Sequence, residues 1–482
     1  MNFSLTKQQQ INPKWYLLIG IVLSGSSHLT FSVDLLAWIS VAPFLIYLSC
    51  TSGWKSRLLF ACALIVTWTL IVSKIITAPI PYLIVFLYAI PITLFHLPGY
   101  LIWAKYRKAN WSVLLFPAVM AVLEWVQYTF TPLASWGVAA YSQTHSPGIM
   151  QFVSLFGLPG LSFLIYWINT AITDLLLSKK TAVHNSILPL VSLCFAICYG
   201  ALRLDIGRVR EGDVVTAAAV GTDSTIGGLP VPSFDQNVAD IVRIFDRTKQ
   251  ATSAGAELIV WNEAAFYLLP ENEMIWLDSI SNLSETLNTS IVAAYVLLTN
   301  DSPLQYENKY RLFQQGKMVH TYLKHQPVPG EPAVKGVSEL VVFDFQDTKL
   351  GGAICYDYDF PYLAKGYGEL GADIVALPSS DWRGIDPLHT RMAAFRAAEQ
   401  GHSIVRSTRF GLSAAIDPFG VLRSSMSSFE NNDKIMMAQI PKKGIKTLYS
   451  IIGDVLVYGC IVFIALFIAH DLLKSRANPV NI

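Results

Sequence analysis

Three side chains in this sequence, Glu263, Lys324 and Cys355, are of the types that open a carbonyl compound through a covalent intermediate. The thiolate is the reactive form of cysteine, and a free thiol with a pKa of about 8.5 needs a base or a nearby cation to reach it. A carboxylate can take the thiol proton, and an ammonium can stabilise the oxyanion that forms next. Of the six cysteines, Cys50, Cys62, Cys194, Cys198 and Cys460 fall in long apolar runs, where cysteine behaves as a small hydrophobe. Only Cys355 lies outside them, in Gly-Gly-Ala-Ile-Cys-Tyr-Asp, where an apolar run of small residues stops at polar ones. Singly, each residue has an ordinary reading: an inert buried thiol, a solvated loop glutamate, a surface lysine among prolines. Together they form a coherent nucleophilic site.

The segment that must position them runs from Asp213 to Tyr449 and alternates short β-branched or small apolar runs with amphipathic helical patterns. Strands are expected at 214–220, 257–261, 290–297, 340–345, 352–355, 373–377, 403–406 and 413–416, and helices at 236–253, 274–287, 361–370 and 389–400. Interleaved strands and helices imply an α/β domain with a covered sheet, parallel or mixed. Glu263 directly follows the strand Leu258-Ile-Val-Trp261, Lys324 lies in Tyr322-Leu-Lys-His-Gln-Pro-Val-Pro-Gly-Glu331, and Cys355 is expected to end its own strand.

The rest of the chain belongs in a membrane. Hydrophobic residues make up 53% of the sequence and charged residues 14%, and nearly all the long uncharged runs lie before Leu202. A span needs about 20 predominantly apolar residues. Runs near 15–31, 33–50, 58–76, 80–103, 111–130, 151–177, 187–202 and 450–473 give about eight helices. The division expected is a membrane part over 1–202, a globular domain over 213–449, a last span over 450–473 and a tail over 474–482. Short cytoplasmic loops carry the excess of Lys and Arg. Here Lys7 and Lys14, Lys55 and Arg57, Lys105, Arg107 and Lys108, and Lys179 and Lys180 occupy alternate loops, with Lys74 the main exception. This places the N-terminus in the cytoplasm and the globular domain on the opposite face, and Lys474 and Arg476 return the C-terminus to the cytoplasm. A cleavable signal peptide is the competing reading of the first run, but it lacks a convincing small-residue cleavage site.

Several classes are disfavoured. A net charge of +1 leaves no basic footprint for nucleic acid. The nine histidines form no ligand pair of the His-Glu-x-x-His kind, so no metal is expected. No glycine-rich phosphate loop is evident, so no cofactor is expected either.

The order Glu263, Lys324, Cys355 resembles the nitrilase (carbon-nitrogen hydrolase) superfamily, and the chain as a whole resembles the bacterial apolipoprotein N-acyltransferases, its membrane-bound branch. The similarity rests on Leu258-Ile-Val-Trp-Asn-Glu263, Tyr322-Leu-Lys324 with Val328-Pro-Gly-Glu331, Ala353-Ile-Cys-Tyr356, Arg396-Ala-Ala-Glu399, Arg406-Ser-Thr408 with Gly411, and Thr447-Leu-Tyr449 with Gly453-Asp454. In the membrane part it rests on Glu124-Trp125 and Phe156-Gly-Leu-Pro-Gly-Leu-Ser162. The chain departs from the family pattern in lacking an aromatic between Pro329 and Gly330, in Asp357 where a Glu is common, and in ending its first strand Val220-Gly-Thr222. It also carries Arg409-Phe410 for an Asn pair, and Ser379-Ser-Asp-Trp-Arg-Gly384 is one residue short.

The resemblance implies a polytopic α-helical membrane domain plus an α/β, nitrilase-like α-β-β-α sandwich outside the cytoplasm, in the bacterial inner membrane. It implies an N-acyltransferase with Glu263, Lys324 and Cys355 as catalytic triad and Glu331, Tyr356 and Asp357 as supporting or substrate-contacting positions. The acyl donor would be a phospholipid and the acceptor a diacylglyceryl apolipoprotein, handled by a monomer. The rival readings are a membrane-tethered nitrilase-type amidase and a non-catalytic lipid- or lipoprotein-binding paralogue. Ala265-Phe-Tyr-Leu-Leu-Pro270 is either a lipid-facing lip or core packing. Glu124 and Trp136 are functional candidates, although Glu124 could equally cap a helix end.

Overall fold

A computed structural model describes residues 12–78, 80–109, 111–177, 182–209, 212–227 and 230–477. Lys7, Lys179 and Lys180 therefore lie outside the described residues. The membrane part contains α1 (Lys14–Ser27), α2 (Ala42–Cys50), α3 (Trp54–Ser73), α4 (Ile84–Tyr106), α5 (Ser112–Phe130), the single turn α6 (Pro147–Met150), α7 (Val153–Leu176) and α8 (Ala182–Val209).

The first two expected spans are not full-length helices. At about 1.5 Å per residue α1 reaches roughly 21 Å and α2 roughly 14 Å, short of a hydrocarbon core of about 30 Å. The apolar run breaks after Gly25-Ser-Ser27, Leu29 and Phe31 take positive φ (57° and 56°), and Pro43 sits in the first turn of α2. The freed N–H groups of Val41 and Ala42 donate to Asn169 Oδ1 (2.9 and 3.1 Å), so a side-chain amide stands in for the missing helical acceptors. Helix α8 also continues beyond Leu202, because buried Arg203 bonds Gln151 and lies over the Phe419 ring. Counting α14 (below), six helices among the described residues are long and apolar enough to cross a membrane: α3, α4, α5, α7, α8 and α14.

The globular part begins with β1 (Val214–Val220) and α9 (Phe234–Ser253), the latter opened by a reciprocal Ser233–Gln236 cap. Then follow β2 (Leu258–Trp261), β3 (Tyr267–Leu268), α10 (Pro270–Leu287), β4 (Ser290–Asp301), β5 (Leu304–Gln314), β6 (Lys317–Leu323), β7 (Phe343–Phe345) and β8 (Thr348–Gly352). After them come α11 (Pro361–Glu369), β9 (Ile374–Ser380), α12 (Leu388–Gln400), β10 (Ser403–Arg409), β11 (Leu412–Ile416), β12 (Leu422–Ser427), β13 (Ile435–Pro441), the short α13 (Leu448–Ile452) and α14 (Val455–Ala477).

One sheet runs β13-β1-β2-β4-β5-β6, with β3 added beside β4, and the other runs β12-β11-β10-β9-β8-β7. Each is mixed: β1, β2 and β4 are parallel, as are β8, β9 and β10, while β13, β5, β6, β7, β11 and β12 pair antiparallel and β3 joins β4 in parallel. The two sheets meet face to face through β1, β2, β9 and β10, with α9 and α10 on one outer face and α11 and α12 on the other. This is the expected α-β-β-α sandwich. Strands β2 and β10 are buried on both faces, which is why they read as unbroken runs rather than alternations.

Motifs far apart in sequence meet where the two parts join. Helix α7 kinks at Phe156 and Gly157, where Gly157 takes φ +66° and any Cβ would lie 2.5 Å from the Tyr449 ring. The N–H of Leu158, released by the kink, donates to Glu399 Oε1 of α12 at 2.7 Å, and Glu399 pairs with buried Arg396. Tyr449 in turn donates to Asp454 at the start of α14. The glycine-rich segment, Arg396–Glu399 and Tyr449 thus form one joint between membrane helices and sandwich.

Candidate active site

Strand β9 is the common anchor of the acid and the thiol. Glu263 leaves the end of β2 with its N–H donating to Ser379 O (3.2 Å), and Cys355 Sγ lies 3.4 Å from Ser380 O. The expected strand at 352–355 stops at Gly352; Cys355 instead opens a one-turn 3-10 helix (Cys355–Asp359) with φ +48°. A β-carbon residue at positive φ is strained, and such strain is concentrated where a side chain must be aimed. Asp357 holds that turn: Oδ2 accepts from Ile354 N–H (3.0 Å) and Tyr322 OH (2.8 Å), and Oδ1 from Gln326 N–H (2.6 Å). Burial raises Asp357 to about 6, against the pull of Lys324. Asp357 therefore ties the cysteine turn to the chain that carries Lys324. Tyr356 points the other way and donates its OH to Pro132 O of the membrane part (2.6 Å).

Lys324 follows β6 and is fully buried between two carboxylates, with Nζ donating to Glu263 Oε1 (2.7 Å) and Glu331 Oε2 (2.8 Å). Asn308 Nδ2, a residue that no sequence motif singles out, bridges the same pair at 2.7 and 2.8 Å. The sequence held a signal for it only as a polar residue at an inward position of β5. Glu331 is aimed by a tight turn: its N–H donates to Val328 O (2.8 Å), Pro329 stands at the second position and Gly330, at φ +92°, at the third. The missing aromatic thus leaves the turn itself intact.

Electrostatics follow from this packing. Burial works against the ammonium of Lys324, but Glu263 and Glu331 outweigh it and hold the amine well above its usual value. The same lysine keeps the carboxyl of Glu331 below its usual value despite burial. Burial, with Glu263, raises the thiol of Cys355 well above the usual cysteine range while Lys324 pulls it back. The resting thiol is protonated, so any reaction at Sγ would need a base to take the proton.

Cys355 and Tyr356 open into a cavity of about 540 Å³ lined almost wholly by apolar side chains. Its membrane-side wall includes Val72, Ile76, Ile84, Leu87, Ile92 and Trp136, and its other wall Val328, Pro329, Trp382 and His389. The segment Ala265–Pro270 has no part in it. Phe266 is stacked on Tyr295 and against Trp261, Leu268 is buried, and β3 pairs with β4, so this segment packs in the core rather than forming a lip. Glu124 also stays outside the cavity: Oε1 accepts from Ala139 N–H (3.0 Å) and Tyr166 OH (2.7 Å), capping a short helical turn. Arg409 spans the carbonyls of Ser224, Ala264 and Ile226 and donates to Ser380 Oγ (2.8 Å), bracing the backbone on both sides of the site.

A second charged group lies beside the thiol, and of its members Asp381 and Arg406 stand in the family-like motifs while Asp359 and His389 stand in none. His389 donates from Nε2 to Asp359 Oδ1 (3.0 Å) and from Nδ1 to Asp381 Oδ1 (2.7 Å), and Arg406 donates to that same Asp381 oxygen (2.7 Å). Asp359 Oδ2 accepts from Trp136 Nε1 (2.9 Å). Cys355, Asp381 and His389 have ligand-like spacing, their atoms lying within 4.8 Å of one another. The donor set does not suit a metal, however, because both histidine nitrogens point protons at carboxylates and a guanidinium occupies the aspartate oxygen.

A four-layer sandwich with a buried Glu-Lys-Cys constellation, set on membrane helices, defines a carbon-nitrogen hydrolase domain. The profile of that family, "Carbon-nitrogen hydrolase", matches residues 216–449, and that of the "Apolipoprotein N-acyltransferase N-terminal domain" matches residues 20–171. With both profiles found in one chain, this protein belongs to the apolipoprotein N-acyltransferase family. The apolipoprotein N-acyltransferase of Shewanella oneidensis is 27% identical over 384 residues, covering 71% of this chain and 70% of that relative. That of Rickettsia bellii is 24% identical over 432 residues, covering 82% and 84%. Among solved structures, an amidase from Nesterenkonia sp. aligns with 49% of this chain and 94% of its own, at 17% identity and a TM-score of 0.40.

Proposed function

We propose that this chain moves a fatty acyl group from a phospholipid, through a thioester on Cys355, to the N-terminal amine of a diacylglyceryl-cysteine apolipoprotein. The observation that carries this reading is the position of Cys355, with the Lys324 ion cluster beside Glu263 on one side and an apolar cavity reaching the membrane helices on the other. Glu263 takes the thiol proton as Sγ attacks the ester carbonyl, and returns it to the departing lysophospholipid alkoxide. The amine then attacks the thioester, gives its proton to Glu263, and the thiolate leaves and is reprotonated. Lys324, kept charged by its two carboxylate partners, stabilises both oxyanions together with the Tyr356 N–H. Glu331 holds Lys324 in place, and Asp357 holds the cysteine turn. An apolar cavity that excludes water favours the amine over hydrolysis of the thioester.

The reading divides the chain into a membrane part over 1–202 that continues as helix to Val209, a catalytic domain over 213–449, a last span over 450–473 and a tail over 474–482. The catalytic domain faces away from the cytoplasm in a bacterial inner membrane, and both termini face inward. With α1 and α2 too short to cross, α3, α4, α5, α7 and α8 precede the catalytic domain, an odd number that fits this orientation. The enzyme works as a monomer, and nucleic acid has no role.

Intact-protein mass spectrometry after incubation with phospholipid tests the proposal. A gain of one acyl mass, absent in Cys355→Ser and discharged by a lipopeptide amine, is expected. Ammonia release from a small amide with no acyl loading would point to the amidase instead.

A further inference from the structure

Cys355 sits between two charged groups. On one side Glu263, Lys324 and Glu331 sum to one net negative charge. On the other, Asp359, His389, Asp381 and Arg406 form a continuous chain of hydrogen bonds in which every member is buried. With the imidazole protonated, that chain sums to zero. Arg409, bonded to Ser380 and to three carbonyls, is a further cation whose charge acts on the thiol.

An Asp381 oxygen and a His389 ring nitrogen each lie within 4.8 Å of Sγ. At such a distance, at the effective dielectric of a protein site, one uncompensated carboxylate raises a thiol's titration by roughly one unit or more, a tenfold or greater loss of thiolate. We propose that His389 is a positioning residue that, with Arg406, neutralises Asp359 and Asp381 so that this side of the site adds no net negative charge against the Cys355 thiolate. Nδ1 and the Arg406 guanidinium converge on one oxygen of Asp381, the carboxylate beside the sulfur, and Arg406 Nη2 also lies 3.0 Å from Nδ1. Burial lowers His389, but Asp359 and Asp381 outweigh it and raise it to about 9, so the imidazolium persists at neutral pH. The electrostatics of Cys355 agree in sign: after burial, Glu263 and Lys324, Asp381 raises the thiol and Arg406 lowers it.

The role rests on Cys355 being the reactive thiol of the proposed reaction, but its test does not need the reaction. The full-length protein in detergent is treated with iodoacetamide from pH 6 to 10, and alkylation of the Cys355 peptide is followed by mass spectrometry, which separates it from the other five cysteines. His389→Gln leaves one extra negative charge and shifts the profile up by about one unit or more, slowing alkylation at pH 7.5 about tenfold. Asp381→Asn combined with His389→Gln restores the charge sum and returns the profile towards that of the parent protein. A histidine that only braces the fold predicts the opposite, with the double variant no closer to the parent than the single one. That result, or a His389→Gln profile superimposed on the parent's in a protein of unchanged elution and melting, overturns the proposal. Failure of phospholipid to load Cys355 while these profiles behave as stated would overturn the acyltransferase reading alone.

Discussion

Lys324 shows how burial converts an ordinary residue into a constrained one. Its ammonium has two carboxylate partners at 2.7 and 2.8 Å, and removing it strands Glu263 and Glu331 together in the interior. Breaking a buried pair costs roughly 3–5 kcal/mol, far more than loss of an exposed one. Lys324→Met is therefore expected to lower the melting temperature as well as to abolish acyl loading of Cys355, both read on the same purified protein. At this scale Glu263, Lys324 and Cys355 stood out because acid, cation and nucleophile have few residue types, and Glu331 through the family motif, and the fold brings all four together. Asn308 and the Asp359–His389–Asp381 group were not. Nothing in a one-dimensional pattern says which of many polar side chains converge on one sulfur, and the charges concerned lie up to thirty residues apart.

Helices and strands carry the next level of constraint. The kink in α7 exists because the Tyr449 ring fills the space a Cβ would need, and Glu399 accepts the N–H that the kink releases. Gly157→Ala adds both a clash and a positive-φ penalty, so we expect a loss above about 2 kcal/mol, seen as a lower melting temperature and reduced yield. Helix α12 contributes a pH signature through His389. Its titration is raised in the fold from 6.5 to about 9, so its stabilising contribution is complete below pH 6.5 and is lost as pH rises through 9. Melting temperatures of the parent protein should fall across that window more steeply than those of His389→Gln. Strands β1, β2, β4, β9, β10 and β11 and helices α9 to α12 were readable from apolar runs and amphipathic periods. The antiparallel strands β5 and β6 escaped notice because their alternation is interrupted by Tyr306, Lys309 and Tyr310, polar-tipped residues that face inward and find partners there. Helices α1 and α2 were overestimated for the complementary reason, since composition alone cannot show that an apolar run folds back into the protein.

For the whole molecule the decisive feature is the cavity shared by helices α3 and α4 and the sandwich. Filling it should separate lipid recognition from thiol reactivity. Ile76→Trp, at the membrane-side wall, is expected to slow loading from long-chain phospholipid about tenfold or more while iodoacetamide still reaches Cys355 at the parental rate. Equal loading by the two proteins would show that the acyl chain lies elsewhere.

The sequence alone determined the division into membrane and α/β parts and, through its resemblance to a known superfamily, the layered sandwich and the grouping of Glu263, Lys324 and Cys355. The first follows from composition and period, which are local properties of the chain, and the others from motifs shared with that superfamily. Only the tertiary structure decided that the thiol opens toward the membrane helices, that α1 and α2 stop short of a span, that Ala265–Pro270 belongs to the core, and that a neutral relay faces the sulfur. Each of those depends on which distant surfaces pack together, and packing is a property of the folded volume rather than of any segment within it.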